Sequence, residues 1–107
     1  YNTGMTSGKR LLAKVAPYAS MARGISNEYR LAILYLLAHD PMWPQDIARH
    51  LPIPQNLVAH HLKAMVTSGW LKKKREGKYT MYSINKKVFR QLPQLLIDTP
   101  LWREIQK

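Results

Sequence analysis

Residues 45–84 read QDIARHLPIPQNLVAHHLKAMVTSGWLKKKREGKYTMYSI. They hold two short helical patterns split by a tight turn, followed by a basic hairpin. The first helix is expected over 44–50, with Pro44 at the opening position, where a missing N–H costs nothing. Leu51-Pro52-Ile53 forms the turn, and Pro54 restarts a helix spanning 54–68 that stops near Gly69. Within it Val58, Leu62 and Met65 recur at i, i+4 and i+7, the spacing of a buried face. Gln55, Asn56, Ala59, His60 and Lys63 fall on the other side. Short or hydrogen-bonding side chains of this kind suit a helix lying in a DNA major groove, where amides and imidazoles meet base edges.

Outward from that core, 70–75 and 79–84 read as strands joined at Glu76-Gly77-Lys78, where Gly77 supplies the positive φ of a hairpin tip. Tyr82 and Ile84 alternate with Met81 and Ser83, so one side of the ribbon can pack on a core. Upstream, a helix is expected over 9–22, kinked or divided at Pro17. Asn27 caps another helix running to about His39, with Leu31, Leu34, Leu37 and Ala38 on one face and Ile33 widening it. Downstream, a helix over 86–97 is interrupted at Pro93, and a short segment restarts at Thr99-Pro100. The expected fold is mainly α with a small β-hairpin wing (α+β), a winged helix-turn-helix with additional N- and C-terminal dimerisation helices. Residues 9–107 form one domain: helix-turn-helix 44–68, wing 70–84, C-terminal helices 86–107. Residues 1–8 are expected to be disordered. Met5 looks like a native start, which makes the first four residues a candidate remnant.

The chain has 17 Lys+Arg against 6 Asp+Glu, a formal net charge of +11 on 107 residues. Such an excess favours a polyanionic partner, because cationic side chains release counterions condensed on the phosphate backbone. At 46% hydrophobic residues the chain can build one core and is not a disordered tail. No apolar run reaches the roughly 18 residues of a membrane span, and Lys14 and Pro17 break any secretory h-region. Zero cysteines removes disulfides, thiolate metal sites and thiol redox sensing together. The cytoplasm is the expected compartment. The acids Glu28, Asp40, Asp46, Glu76, Asp98 and Glu104 are scattered, and no phosphate-cradling glycine loop is present, so catalysis has no support.

Three stretches, in order, carry a family resemblance. Ile25-Ser26-Asn27-Glu28-Tyr29-Arg30-Leu31-Ala32-Ile33-Leu34 resembles a helix opening usually written Leu-Ala-Asp-Pro-Thr-Arg followed by an apolar run. Gln55 through Lys63, with His60-His61-Leu62-Lys63 intact, resembles a recognition helix of the type SQSTVSHHLK. Trp70-Leu71, Arg75-Glu76-Gly77-Lys78 and Tyr82 resemble the strands and turn of a wing. Together these are similar to the ArsR-type winged helix-turn-helix regulators, bacterial and archaeal repressors. The resemblance implies a homodimer paired through the first and last helices, with one recognition helix for each half of a palindromic operator. The apolar faces flanking the DNA-reading unit agree with that, since a small core cannot absorb them. The expected interface is Leu11, Leu12 and Val15 with Leu95, Leu96, Leu101 and Trp102.

The chain also departs from the family pattern. Metal-sensing members carry cysteines near the start of the helix-turn-helix, whereas 42–46 here is MWPQD. Others carry Asp, His and Glu ligands on the last helix, and 88–97 contains none. No metal response and no cofactor is therefore expected. Pro54 and Ala59 replace two serines of the family's recognition helix. His60 and His61 diverge by about 100° on a helix and cannot readily share an ion. His61 is expected to be structural, half-buried and hydrogen-bonded, and His60 to face DNA. The assigned DNA contacts are Gln55, Asn56, Ala59, His60 and Lys63 on the recognition helix, with Lys73, Arg75 and Lys78 on a wing (72–80) along the flanking backbone. The leading expectation is a dimeric, sequence-specific transcriptional repressor on double-stranded DNA. A winged-helix protein-interaction module and an architectural binder with little sequence preference remain the alternatives.

Overall fold

The computed structural model describes residues 7–97 and 100–107, without the side chains of residues 92, 94–97 and 100–102. Residues 1–6, where disorder was expected, lie outside that set, and Ser7 and Gly8 already belong to the first helix. The order is α1 (Ser7–Arg23), α2 (Glu28–Leu37), α3 (Pro44–His50), α4 (Gln55–Thr67), β1 (Leu71–Glu76), β2 (Tyr79–Ile84), α5 (Lys86–Ile97) and α6 (Pro100–Ile105).

Local chemistry explains the boundaries. Asn27 Oδ1 accepts from the backbone N–H groups of Tyr29 (2.8 Å) and Arg30 (3.3 Å), satisfying two otherwise unpaired donors at the start of α2. Pro44 occupies the first turn of α3, where its ring fits. The end of α4 is a Schellman arrangement. Gly69, at φ 92°, donates to Val66 O, and Trp70 N–H donates to Met65 O. Gly77, at φ 63°, takes the first central position of the two-residue hairpin turn, the conformation a side chain would resist. Pro17 and Pro93 both sit inside α-helices that continue past them, so neither divides its helix as expected. Each removes one internal hydrogen bond, and the flanking turns keep theirs.

The core is built where α2, α4 and the root of the hairpin meet, and α3 closes it. Ile33, Ile47, Val58, Leu62, Met65 and Trp70 are completely buried. The antiparallel ribbon pairs Leu71 with Ile84 at its root and Glu76 with Tyr79 at its tip. A two-way, single-residue bridge, Met42 N–H to Tyr82 O (3.0 Å) and Tyr82 N–H to Met42 O (2.9 Å), ties the α2–α3 connection to the outer side of β2.

Two expected core residues are not in the core. Leu31 is 45% exposed and Ala38 is exposed, while Ile33, assigned to the edge of the stripe, is fully buried. At about 100° per residue the buried arc of α2 runs from Ile33 to Leu34, and Leu31 lies about 60° beyond it. Hydrophobic spacing alone could not say which part of so wide a stripe meets α4.

α1 has no buried residue. It touches the core only at its C-terminal end, where Trp70 Nε1–H donates to Met21 O at 2.6 Å. Gly24 makes that approach possible. A Cβ there would overlap the Ser68 side chain and stand 2.9 Å from Trp70 Cδ1.

Candidate nucleic-acid interface

Helix α4 divides along its length. Val58, Leu62 and Met65 are fully buried, and Gln55, Asn56, Ala59, His60 and Lys63 are all exposed. Its first turn has no acidic residue and no side-chain cap, because Pro54 at the N-cap carries no acceptor. Leu57 N–H donates to Pro54 O at 3.0 Å, which leaves the Gln55 and Asn56 N–H groups at the helix start without a side-chain cap. Leu57, 43% exposed, also stands outward. Sequence reasoning passed over it, although its offset of one residue from Val58 places it off the core side.

His61 flanks the buried stripe and sets the seat of α4 on α2. Arg30 Nε–H donates to its Nδ1 at 3.1 Å, and its ring lies 5.8 Å from the Tyr29 ring. Desolvation, then the Arg30 charge, then His60 hold the imidazole below the ordinary histidine range. Neutral His61 is the form that accepts from Arg30. The link from the first motif of the sequence to the recognition helix was not foreseen, because 31 residues separate Arg30 from His61.

The wing projects beside this helix. Lys72 to Glu76 are all exposed. By the strand period, Lys73 and Arg75 share the ribbon face of Leu71, Tyr82 and Ile84, extending past the core edge toward the tip. Arg75 Nε–H donates to Gly77 O at 2.9 Å, so its guanidinium braces the turn, leaving its other donors outward. Lys78 Nζ lies 5.7 Å from the centre of the Tyr79 ring. Tyr79 itself stacks on Trp43, with centroids 4.5 Å apart and planes 12° from parallel. That stack anchors the far end of the wing to the start of α3. None of these contacts was evident from sequence, which gave no indication that Trp43 would reach the hairpin.

The cations of α4 and the wing make no ion pair among the described residues. Arg49 pairs with Asp46 (3.3 Å) and Lys107 with Glu104 (3.0 Å), both exposed. The positive field beside α4 is thus largely uncompensated. Of the expected dimer residues, Leu11 (59%), Leu12 (68%) and Val15 (38%) are exposed on α1. The side chains of Leu95, Leu96, Leu101 and Trp102 lie outside the described residues. Among the described residues there is no cluster of three or more His, Cys, Asp or Glu able to hold a metal, and no helix is long and apolar enough to cross a membrane.

Comparison with known proteins places this geometry. Residues 27–73 match the family described as "Bacterial regulatory protein, arsR family". An ArsR-like transcriptional regulator from a Rhodococcus species superposes with a TM-score of 0.73 at 23% identity, over 80% of this chain and 81% of that one. A homodimeric winged helix-turn-helix DNA-binding domain from Mycobacterium bovis gives 0.70 at 25% identity, over 90% and 88%. NolR from Sinorhizobium fredii gives 0.66 at 22% identity, over 89% and 94%. The matched span runs from the cap of α2 through α4 into β1, and over it the chain is similar to the ArsR-type transcriptional regulators, whose winged helix-turn-helix fold it shares.

Proposed function

We propose that the protein acts as a homodimeric repressor that reads a palindromic operator with α4 and holds the flanking backbone with its wing. The observation that carries this is the division of α4: one face locked into the core, the other an exposed row of Asn56, Ala59, His60 and Lys63 with an uncapped N-terminus. Asn56 and Gln55 suit adenine edges, His60 offers a donor or an acceptor, and Lys63 suits a phosphate or guanine. Leu57 or Ala59 can meet a thymine methyl. Lys73, Arg75 and Lys78 are assigned to phosphates, which position the protein without reading sequence.

Dimerisation supplies the second half-site. α1 exposes Leu11, Leu12 and Val15 and contributes no buried residue to its own core, which leaves a partner chain to cover it. The C-terminal residues Leu95, Leu96, Leu101 and Trp102 are proposed for the facing surface. A twofold axis would then set two copies of α4 roughly 34–36 Å apart, one turn of B-DNA.

The test is selection of bound fragments from random DNA, followed by titration of the selected site against salt. A palindromic consensus is expected, with affinity falling roughly 10³- to 10⁵-fold between 50 and 200 mM salt if six to ten phosphates are contacted. A steep salt response without a consensus would indicate an architectural binder. A flat salt response would leave the winged helix as a protein-interaction module.

A further inference from the structure

Between α2 and α5 runs a groove of about 1040 Å³ that the DNA-facing surface does not use. Leu31 and Tyr35 of α2 form one wall, and Phe89 and Pro93 of α5 form the other. Leu31, Tyr35 and Phe89 are 45%, 80% and 48% exposed. Trp70 and Ile84 close the floor, with the Phe89 ring edge-on to Trp70 at 6.0 Å. Four cations line the same groove: Lys72 from β1 and Lys86, Lys87 and Arg90 from α5. His39 and one carboxylate, Asp40, also line it, and none of the four cations makes an ion pair among the described residues.

DNA is a poor match for this place. Lys72 lies at the root of the ribbon, next to the Leu71–Ile84 pair, and the tip is five residues away at Gly77. At roughly 3.3 Å per residue that is about 16 Å from the end assigned to the backbone. A second copy of the chain is also a poor match. α1, which leaves Leu11 and Leu12 uncovered, carries Lys9, Arg10, Lys14 and Arg23 and no acid. Setting it on this rim would bring like charges together. The proposed dimer segment, from Leu95 onward, lies beyond Pro93, whereas the groove uses the first two turns of α5.

We infer that this groove binds a small amphipathic anion, an apolar body lying against Leu31, Tyr35 and Phe89 with a single carboxylate or comparable headgroup held by Lys87, Arg90 and their neighbours. The volume is of the order found for small-molecule sites, and the lining has their usual composition, mostly apolar with a few charged groups converging at one rim. Apolar contact supplies affinity, and the rim supplies discrimination against neutral and cationic analogues of the same shape.

The experiment uses the full chain without DNA, with decanoate, decanol and decyltrimethylammonium as probes and tryptophan fluorescence as readout, since Trp70 lies on the floor. Decanoate is expected to saturate at one per chain and to bind about tenfold more tightly than either analogue. The double variant Lys87→Glu/Arg90→Glu, at two exposed positions, should weaken decanoate about tenfold and leave decanol binding and the melting temperature unchanged. Leu31→Asp, which sets a like charge in the apolar wall, should weaken decanoate as well and leave the sedimentation coefficient unchanged. Charge-blind or unsaturable binding would overturn the proposal. So would dissociation of a dimer by Leu31→Asp, which would assign the groove to a second copy. Loss of DNA affinity in the double variant, with decanoate binding intact, would reassign the rim to nucleic acid. Because binding is read without DNA, failure here leaves the operator-reading proposal standing.

Discussion

Replacing Gly24 with Ala probes the tight joint where the end of α1 meets the winged core. Gly24 is buried, and an added methyl would overlap the Ser68 side chain and press on Trp70 Cδ1 at 2.9 Å. Trp70 has little room to retreat, being fully buried and bonded through Nε1 to Met21 O at 2.6 Å. Overpacking of this kind costs about 1–3 kcal/mol. The Gly24 φ is not in the left-handed region, so alanine also gains about 0.4–1 kcal/mol from a less flexible unfolded chain. The net expectation is a loss of about 1–2 kcal/mol in urea unfolding at unchanged m-value. Ser68→Gly removes the side chain that the new methyl meets first, at the cost of the Ser68 Oγ–H bond to Ala64 O (2.9 Å). The two substitutions should therefore be non-additive, with Gly24→Ala about 1 kcal/mol milder in the Ser68→Gly background. Additivity within about 0.3–0.5 kcal/mol, or a Gly24→Ala variant as stable as the parent, would refute the steric argument. Because α1 also carries Leu11, Leu12 and Val15, the strained joint should weaken dimerisation in sedimentation velocity alongside stability.

The remaining expectations concern α4 and its supports. Arg75→Ala and Lys78→Ala should weaken selected and random DNA about equally, whereas Asn56→Ala and His60→Ala should cost on the order of 1–3 kcal/mol on the selected site alone, measured by competition binding. His61 titrates below the ordinary histidine range in the folded chain, so the unfolded chain takes up its proton first as pH falls. Its contribution is complete above the unfolded value of about 6.5 and is lost as pH drops from there through the folded value; His61→Gln should flatten stability measured across that window. Asn27→Ala, which leaves the Tyr29 and Arg30 N–H groups without their acceptor, should lower stability by about 1 kcal/mol in thermal unfolding.

Local rules were enough for much of this protein. Pro44 and Pro54 placed the starts of the two helices of the helix-turn-helix, Asn27 placed the cap of α2, and Gly69 and Gly77 marked the positive-φ turns that the structure contains. The i, i+4, i+7 spacing of Val58, Leu62 and Met65 separated the buried side of α4 from the exposed one, because a helix buried on one side must carry that period. Motif order and charge then brought the family within reach before any fold was seen. Other features depend on residues distant in the chain and carry no local signal. The stripe of α2 was wide enough to be buried on either flank, and only contact with α4 and the hairpin selected Ile33 and exposed Leu31. Arg30 meets His61, Trp43 meets Tyr79 and Trp70 meets Met21 across long sequence separations. Each pairing is a consequence of how helices pack once the backbone has closed on itself. Spacing along one helix fixes which side chains share a face; only the tertiary structure decides what that face touches.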